Sequence, residues 1–479
     1  MSPTRRIYRL SPSQFSPETI AVTFAKTSRS PEPFDVIAAE LDNERSARFS
    51  EKWIVGYGHS SVAEHAVLHL ALENVSRLAI ETVEGNRLGS YTEKSSRYQE
   101  WDAHAYTVPA ELEASPYRQS YVDLMDQLFA AYADALGALR AWGEAHTPKL
   151  PEETDKSWAN RVRAAAIDTA RFLLPAGAVA NVGVTMNARV LEYAIRKLLS
   201  SDLAEARAIG EEIKAVAAQE LPTLVKYANP IDYLPAVREL SQTLAGPIEA
   251  HPVEAWCRLT DFDPQAEDKA LAAVLFRFGT SGAQDCLSFV QQASPEERAA
   301  WANQIFGQIG AHDTPLRELE FSQYQFELVM DQGAYFEFKR HRMMTQTVQS
   351  LNTHLGYAVP RAICDAGFED RYHQAMAAAA RGYELLAAWN RPVASYVVPN
   401  GYNRRVLCGV NLRELYHFIS LRCAENAHYS IRRVGRGMLE ALQAVHPLLA
   451  SQIRVNESES SQSIAGQYFS ALAEPPHLS

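Results

Sequence analysis

A chain of 479 residues with 47% hydrophobic and 22% charged residues has the composition of an ordinary globular protein with room for several domains, which excludes one small module and global disorder. Its 46 Lys and Arg against 57 Asp and Glu leave a formal net charge of −11, so the broad basic field of a non-specific nucleic-acid binder is excluded and any anion site must be local. Nothing approaches about 18 uninterrupted apolar residues and the opening MSPTRRIYRLSPSQF has no apolar stretch, so the expectation is a cytoplasmic protein without a membrane partner. The five cysteines lack a CxxC pair and read as reduced thiols.

In chain order, Leu68, Leu70 and Leu72 alternate with other residues as in a half-buried strand, and a helical run leads to Gly85-Asn86-Arg87. Tyr121, Leu124, Leu128, Tyr132 and Leu136 mark a long amphipathic helix. Arg171 follows in ARFLLP, and Asn187-x-Arg189 stands before another helix. The stretch from about 228 to 266 is proline-rich and aperiodic. Beyond it the same order returns. Tyr324, Phe326, Leu328 and Met330 alternate as a strand, a helix leads to Lys339-Arg340-His341-Arg342, and Tyr372, Met376, Ala379, Tyr383 and Leu386 mark a second long helix. Asn411-x-Arg413 then precedes a helix that ends near Arg422. His59 leads Arg87 by 28 residues and His312 leads Arg342 by 30. A chain built twice is the reading: residues 1–235, a linker at 236–265, and residues 266–479, with a polar tail after about 455 that is mobile at its end.

Each candidate residue also has a plain structural reading. The basic run at 339–342 suits either a helix C-terminus or an anion site. Asn411 with Glu414 reads as an N-cap and capping box as well as a ligand contact. Arg413 and His417 share a helix face that solvent or an acidic neighbour would also explain. Glu64, His65 and His69 suggest metal ligands, but a strand through 66–72 spoils the spacing, and no metal site is expected.

The string from 340 to 352, Arg-His-Arg-x-x-Thr-x-x-x-x-Ser-x-Asn, and that from 85 to 97, Gly-Asn-Arg-x-x-Ser-x-x-x-x-Ser-x-Arg, both resemble the Arg-His-Arg-x-x-Ser-x-x-x-x-Ser-x-Arg signature of the flavin-dependent thymidylate synthases (ThyX). GHSSVAEHAVLHL resembles the family's segment before the signature, and NLRELYHFISLRCAENAHYSIR its Asn-x-Arg…Arg…Ala-Gln-x-Glu-Ile-Arg segment after it. The resemblance implies an α+β fold of two tandem ThyX-like domains, each a small, mainly antiparallel sheet with several long helices.

Neither half carries the whole pattern. The first keeps Arg87, Glu93, Ser95, Arg97 and Arg171 but has Gly85, Asn86 and Leu198 where the family has Arg, His and Arg. The second keeps Arg340, His341, Arg342, Asn411, Arg413, His417 and Arg422 but has Asn352 and Ser395 in place of two arginines, and Arg317-Glu318 in place of Glu-His. Because the family's sites are built across subunits of a homotetramer, the complementary losses imply one composite site between the halves and a homodimer acting as a pseudo-tetramer.

By resemblance, FAD is held by His59, Arg340, His341, Arg342, Asn411, Arg413 and His417. The nucleotide dUMP is held by Arg87, Glu93, Ser95, Arg97, Arg171, Arg340 and Arg422, with Arg422 also stabilising charge on the uracil. The implied reaction is reductive methylation of dUMP to dTMP, with methylenetetrahydrofolate and NADPH as co-substrates. Arginine suits both tasks, since its planar fork grips phosphate and supports developing imide charge. Two other readings stand beside it: a flavin enzyme for another nucleotide or carbon donor, and a non-catalytic nucleotide-binding paralogue.

Overall fold

The computed structural model describes residues 5–28, 30–41, 43–49, 51, 60–249, 253, 255–310, 312–456 and 458–472. They form two compact units that interleave along the chain. Unit one draws on Met1–Lys94, Tyr106–Arg118 and Gly177–Ala250, and unit two on Ser95–Ala105, Gln119–Ala176 and His251–Ser479. Among the described residues no helix is long and apolar enough to cross a membrane.

Unit one is built on strands β1 (Val67–Ser76), β2 (Ser90–Glu93) and β3 (Val179–Asn187), antiparallel in the order β1-β3-β2. Ser76 caps the following helix, Arg77–Glu84, by accepting from the Ala79 amide. Asn187 does the same for Ala188–Leu199 through Val190. Short polar side chains satisfy the orphan amides that open each helix, which explains why both helices start there.

Unit two contains β4 (Cys257–Phe262), β5 (Gln323–Asp331), β6 (Thr345–Val348), β7 (Ala358–Pro360), β8 (Asn403–Asn411) and β9 (Phe469–Leu472). Its main sheet runs β4-β5-β8-β6, with β7 pairing β9 separately. Three of its strands repeat the pattern of unit one, register included. Ser90 on β2 pairs with Thr185, two before Asn187, and Thr345 on β6 pairs with Gly409, two before Asn411. The alternation read at 324–330 is borne out: Tyr324, Phe326, Leu328 and Met330 are buried in one core with Phe338, Phe418 and Leu439.

The helix Tyr429–Val445 packs on β4 and β5, and two other long helices complete the unit. Arg118–His146 and Glu369–Ala387 bury the stripes read from the sequence. Each copy then reaches a short 3-10 turn, Arg171–Leu173 in one and Ser395–Val397 in the other. The longer first-half interval is helix: 29 and 16 residues in Arg118–His146 and Asp155–Ala170, against 19 and 4 in Glu369–Ala387 and Arg391–Ala394.

Two stretches hold elements that the sequence reading did not place, and the end of the tail, beyond residue 472, lies outside the described residues. The proline-rich stretch holds the helix Tyr233–Ala245 and strand β4, which adds an edge to the sheet of unit two by pairing Cys257 with Leu328. The polar tail forms the helix Ser461–Tyr468, opened by a capping box of Ser460 and Ser463, and continues as β9.

Candidate functional site

The signature loop of the first copy, from Ser95 onward, belongs to unit two. Ser95 Oγ accepts from the Arg97 amide. The Arg97 guanidinium then reaches Asp168, with Nε 3.1 and 3.2 Å from its two carboxylate oxygens and Nη2 3.1 Å from one of them. Arg97 Nη1 donates to the Asn426 carbonyl at 3.2 Å. Three residues beyond Asp168, one helical turn on, Arg171 lies with its side chain 3% exposed. Its Nε is 3.7 Å from Asp168 and its Nη2 is 3.7 Å from Glu337, and neither nitrogen has a hydrogen-bond acceptor.

Glu337, the penultimate residue of the helix Gln332–Phe338, accepts from Arg422 Nη1 at 3.1 Å. Arg422 Nε donates to His341 Nε2 at 3.0 Å, and His341 Nδ1 lies 3.2 Å from Glu414. A continuous polar chain therefore runs from Arg97 through Asp168, Arg171, Glu337, Arg422 and His341 to Glu414. Along this chain three guanidiniums, Arg97, Arg171 and Arg422, meet three carboxylates, Asp168, Glu337 and Glu414, so its formal charges balance.

The electrostatics follow from burial. Burial opposes ionisation of Asp168, yet the His428 ring and the guanidiniums of Arg171 and Arg97 hold its carboxyl below the usual range. Burial lowers the pKa of Arg422, aided by the nearby charges of Arg340 and Arg97 and opposed by Glu337. Burial also lowers His341, against the pull of Glu414.

The basic run does not face one way. Arg340 is exposed and Arg342 half-buried, whereas Lys339 and His341 are buried. The chain leaves the helix at 338 in a turn that alternates them, so a uniform cationic face is replaced by an inward His341. Asn411 caps the helix Leu412–Arg422 through the Glu414 amide. Glu414's carboxylate points to His341, so it does not complete a capping box.

Beside this chain lies a cavity of about 590 Å³ lined by His312, Arg413, Glu414, His417 and Arg454, among others. Arg413 is anchored by donating to Pro315 and Glu320, and the His417 ring lies 5.5 Å from that of His341. Thus Ser95, Arg97, Arg171, His341 and Arg422 share unit two with Arg340, Arg342, Asn411, Arg413 and His417. Arg87 and Glu93 belong to unit one, where Glu93 pairs with Arg77 at 3.1 Å. His59 lies outside the described residues.

Sequence reasoning missed Asp168, Glu337 and His428. Asp168 carried a signal in its three-residue spacing from Arg171, and Glu337 in being the lone acid of the helix QGAYFEF. His428 stands where the family segment has Gln. Where the second copy lacks arginines, neutral groups bond locally: Ser395 Oγ donates to Leu351 and Asn352 Nδ2 to Ser350. In unit one, Asn86 donates to Val83, and Leu198 is buried.

The family model described as thymidylate synthase complementing protein matches residues 11–223 and 258–448. The chain belongs to that family. A UPF0159 protein of Chlamydia muridarum is 31% identical over 439 residues, covering 88% of this chain and 83% of the relative. A flavin-dependent thymidylate synthase of Clostridium tetani is 27% identical over 217 residues, covering 45% of this chain and 83% of its own. A Helicobacter pylori ThyX structure complexed with FAD and dUMP aligns with 19% identity and a TM-score of 0.32, covering 42% of this chain and all of the other. The Clostridium tetani relative thus matches under half of this chain, and the arginine cluster draws residues from both family-matched segments.

Proposed function

We propose that the protein is an FAD-dependent thymidylate synthase that converts dUMP to dTMP, with methylenetetrahydrofolate as carbon donor and NADPH as reductant, at one composite site in unit two. One observation carries this reading. Ser95, Arg97 and Arg171 from the first family segment meet His341 and Arg422 from the second through Asp168 and Glu337, so the signature pieces that each segment lacks are supplied by the other.

Arg171 is the principal phosphate ligand in this reading, since its buried Nε and Nη2 are donors without acceptors, and a phosphate dianion would supply them. Asp168 already holds the Arg97 fork, so Arg97 offers only its remaining N–H groups and serves to orient Asp168 and the Ser95 loop. Arg422, held by Glu337 and His341, is the cation placed to stabilise charge on the uracil.

The residues around the cavity suit a dinucleotide cofactor. His312, His417 and Arg454 join the anchored Arg413 there, a donor set matched to pyrophosphate and ring heteroatoms. FAD held there, once reduced by NADPH, would supply the hydride. The chain's own residues bind, orient and neutralise charge, and His341 passes the orientation of Glu414 to Arg422. The same reading makes a homodimer the working assembly, two chains providing four family segments.

A second reading, a flavin enzyme acting on a different nucleotide, is favoured by the Asp168–Arg97 pair, which fills a fork that the signature resemblance assigns to phosphate. Titrating dUMP into FAD-loaded protein while following flavin absorbance, and then NADPH oxidation with methylenetetrahydrofolate present, separates the readings. Perturbation by dUMP with formation of dTMP supports the first. A flavin spectrum that ignores dUMP but responds to another nucleoside monophosphate supports the second. Protein that binds no flavin overturns both. Light scattering at twice the chain mass checks the dimer.

A further inference from the structure

Beside the arginine cluster three aromatic rings lie parallel in an offset stack. Phe172, the residue after Arg171, is parallel to Tyr429 with centroids 6.2 Å apart and planes 6° apart. Tyr468 is also parallel to Tyr429, at 4.9 Å and 1°. Phe469 closes the side, edge-on to Tyr429 at 5.2 Å and to Phe172 at 6.5 Å. His428 lies against Tyr429 with ring centroids 4.0 Å apart.

His428 joins this stack to the cluster. Its Nδ1 accepts from the Ser430 amide at 3.1 Å, so its proton resides on Nε2, which is 3.3 Å from the Asp168 carbonyl and 3.6 Å from its carboxylate. The inner end of the stack therefore touches both arms of the anion cluster: Arg171 through its neighbour Phe172, and Asp168 through His428.

The outer end belongs to the helix Ser461–Tyr468 and β9, beyond the family-matched residues 258–448. Four independent contacts hold this segment. Arg361 caps the helix by donating to the carbonyls of Gly466, Gln467 and Phe469. Glu440 accepts from the amide and hydroxyl of Ser461. Glu459, just before the helix, lies 3.3 Å from the buried Arg432, whose guanidinium also sits 5.3 Å from the centre of the Tyr468 ring. Finally, β9 pairs with β7. A segment anchored this firmly presents two adjacent aromatic residues to the back of a charged cluster.

We propose that Tyr468 and Phe469 are positioning residues of the arginine cluster: by closing the Phe172–Tyr429 stack they fix His428 and the Arg171 turn, and so set the geometry in which Asp168, Arg97 and Arg171 meet an anion. This rests on the reading of that cluster as the dUMP phosphate site. The physical basis is that a guanidinium pair binds a phosphate well only if its forks are held in place before the ligand arrives. Asp168 and Arg171 flank the junction between the helix Asp155–Ala170 and a three-residue turn; hydrogen bonds from Asn400 and Gly401 hold the carbonyls of Arg171 and Phe172 there, and the ring stack packs against the side chains of Phe172 and His428.

The test is Tyr468→Ala, with Tyr468→Phe as the ring-retaining control, in the full chain. Hydrogen–deuterium exchange over residues 165–175 is the ligand-free readout. Faster exchange there in Tyr468→Ala but not in Tyr468→Phe is expected. For binding, dUMP and the phosphate-free nucleoside deoxyuridine are compared on FAD-loaded protein. An aromatic contact of ordinary strength predicts about three- to tenfold weaker dUMP binding in Tyr468→Ala, with deoxyuridine binding unchanged. Phe469→Leu, which keeps apolar bulk, gives a milder version of the same pattern should Tyr468→Ala fail to fold. Unchanged exchange over 165–175, or equal losses for dUMP and deoxyuridine, overturns the proposal. Wild-type protein that binds no dUMP overturns the phosphate-site reading instead, and the exchange experiment still decides whether the stack holds the turn.

Discussion

Arg422 donates through Nε to Nε2 of His341, and that bond fixes the imidazole as the neutral tautomer with its proton on Nδ1, facing Glu414. Protonating Nε2 would set an imidazolium against a guanidinium. Because burial lowers the folded-state pKa of His341, the bond is complete above the ordinary histidine value of about 6.5 and is lost as pH falls through the lower folded value. Flavin and dUMP binding should weaken together over that window. His341→Gln keeps an acceptor for Arg422 and a donor for Glu414 without titrating, so its binding curves should be flatter in acid, whereas His341→Ala should lose flavin at every pH. Spectral titration across pH 5 to 8 checks it.

Arg171→Ala should weaken dUMP binding by roughly ten- to a hundredfold, the loss of one charged hydrogen bond of about 1.5 to 3 kcal/mol. Arg171→Lys should restore little, because an ammonium group cannot serve Asp168, Glu337 and a phosphate from one planar fork. Calorimetric titration measures both. A lysine variant that binds as wild type would count against Arg171 as the phosphate ligand.

His428 is 1% exposed, and burial together with the Arg171 charge pushes its pKa well below the ordinary value. The unfolded chain takes up a proton near pH 6.5 while the folded chain does not. Stability from this residue is therefore full above that pH and declines as pH falls toward the folded value. His428→Gln should hold its melting temperature better than wild type between pH 6.5 and 5 and differ little at pH 8. Melting curves in matched buffers decide it.

Gly401 donates its amide to the Phe172 carbonyl at 2.8 Å, which brings the backbone beside the Arg171 turn. A methyl group there would lie 2.4 Å from Met376 Cε, 2.6 Å from Tyr372 Oη and 3.2 Å from the Phe172 carbonyl oxygen. Gly401→Ala should cost about 1 to 3 kcal/mol, as overpacked sites do, measured by denaturant unfolding. Its effect on dUMP binding should exceed that of a similarly destabilising change in unit one.

The legible parts of the fold were those with local causes. Period-two alternation located β5, 3.6-residue stripes located Arg118–His146 and Glu369–Ala387, and cap chemistry placed a helix start at Asn411. Strand β4 was missed because an edge strand of six residues needs only one partner and shows no buried stripe of its own. The helix Ser461–Tyr468 was missed because one buried residue, Ile464, gives no period. At the site, motif spacing named the arginines, but their partners were out of reach. Asp168 and Glu337 are separated by well over a hundred residues, and only the tertiary fold sets both against Arg171.

Unit two takes Ser95–Ala105 and Gln119–Ala176 from early in the chain but cannot be finished without His251–Ser479. During synthesis, the helix Arg118–His146 emerges with its stripe of Tyr121, Leu128 and Tyr132 long before β5 or the helix Glu369–Ala387 exists. That apolar stripe must wait, shielded or transiently paired, while more than a hundred further residues are made. Such long-range closure makes folding slow. It also means that a break near residue 245 would separate pieces that do not match the two units, so the fragment 1–245 made alone should be aggregation-prone and the pair should assemble best when synthesised together.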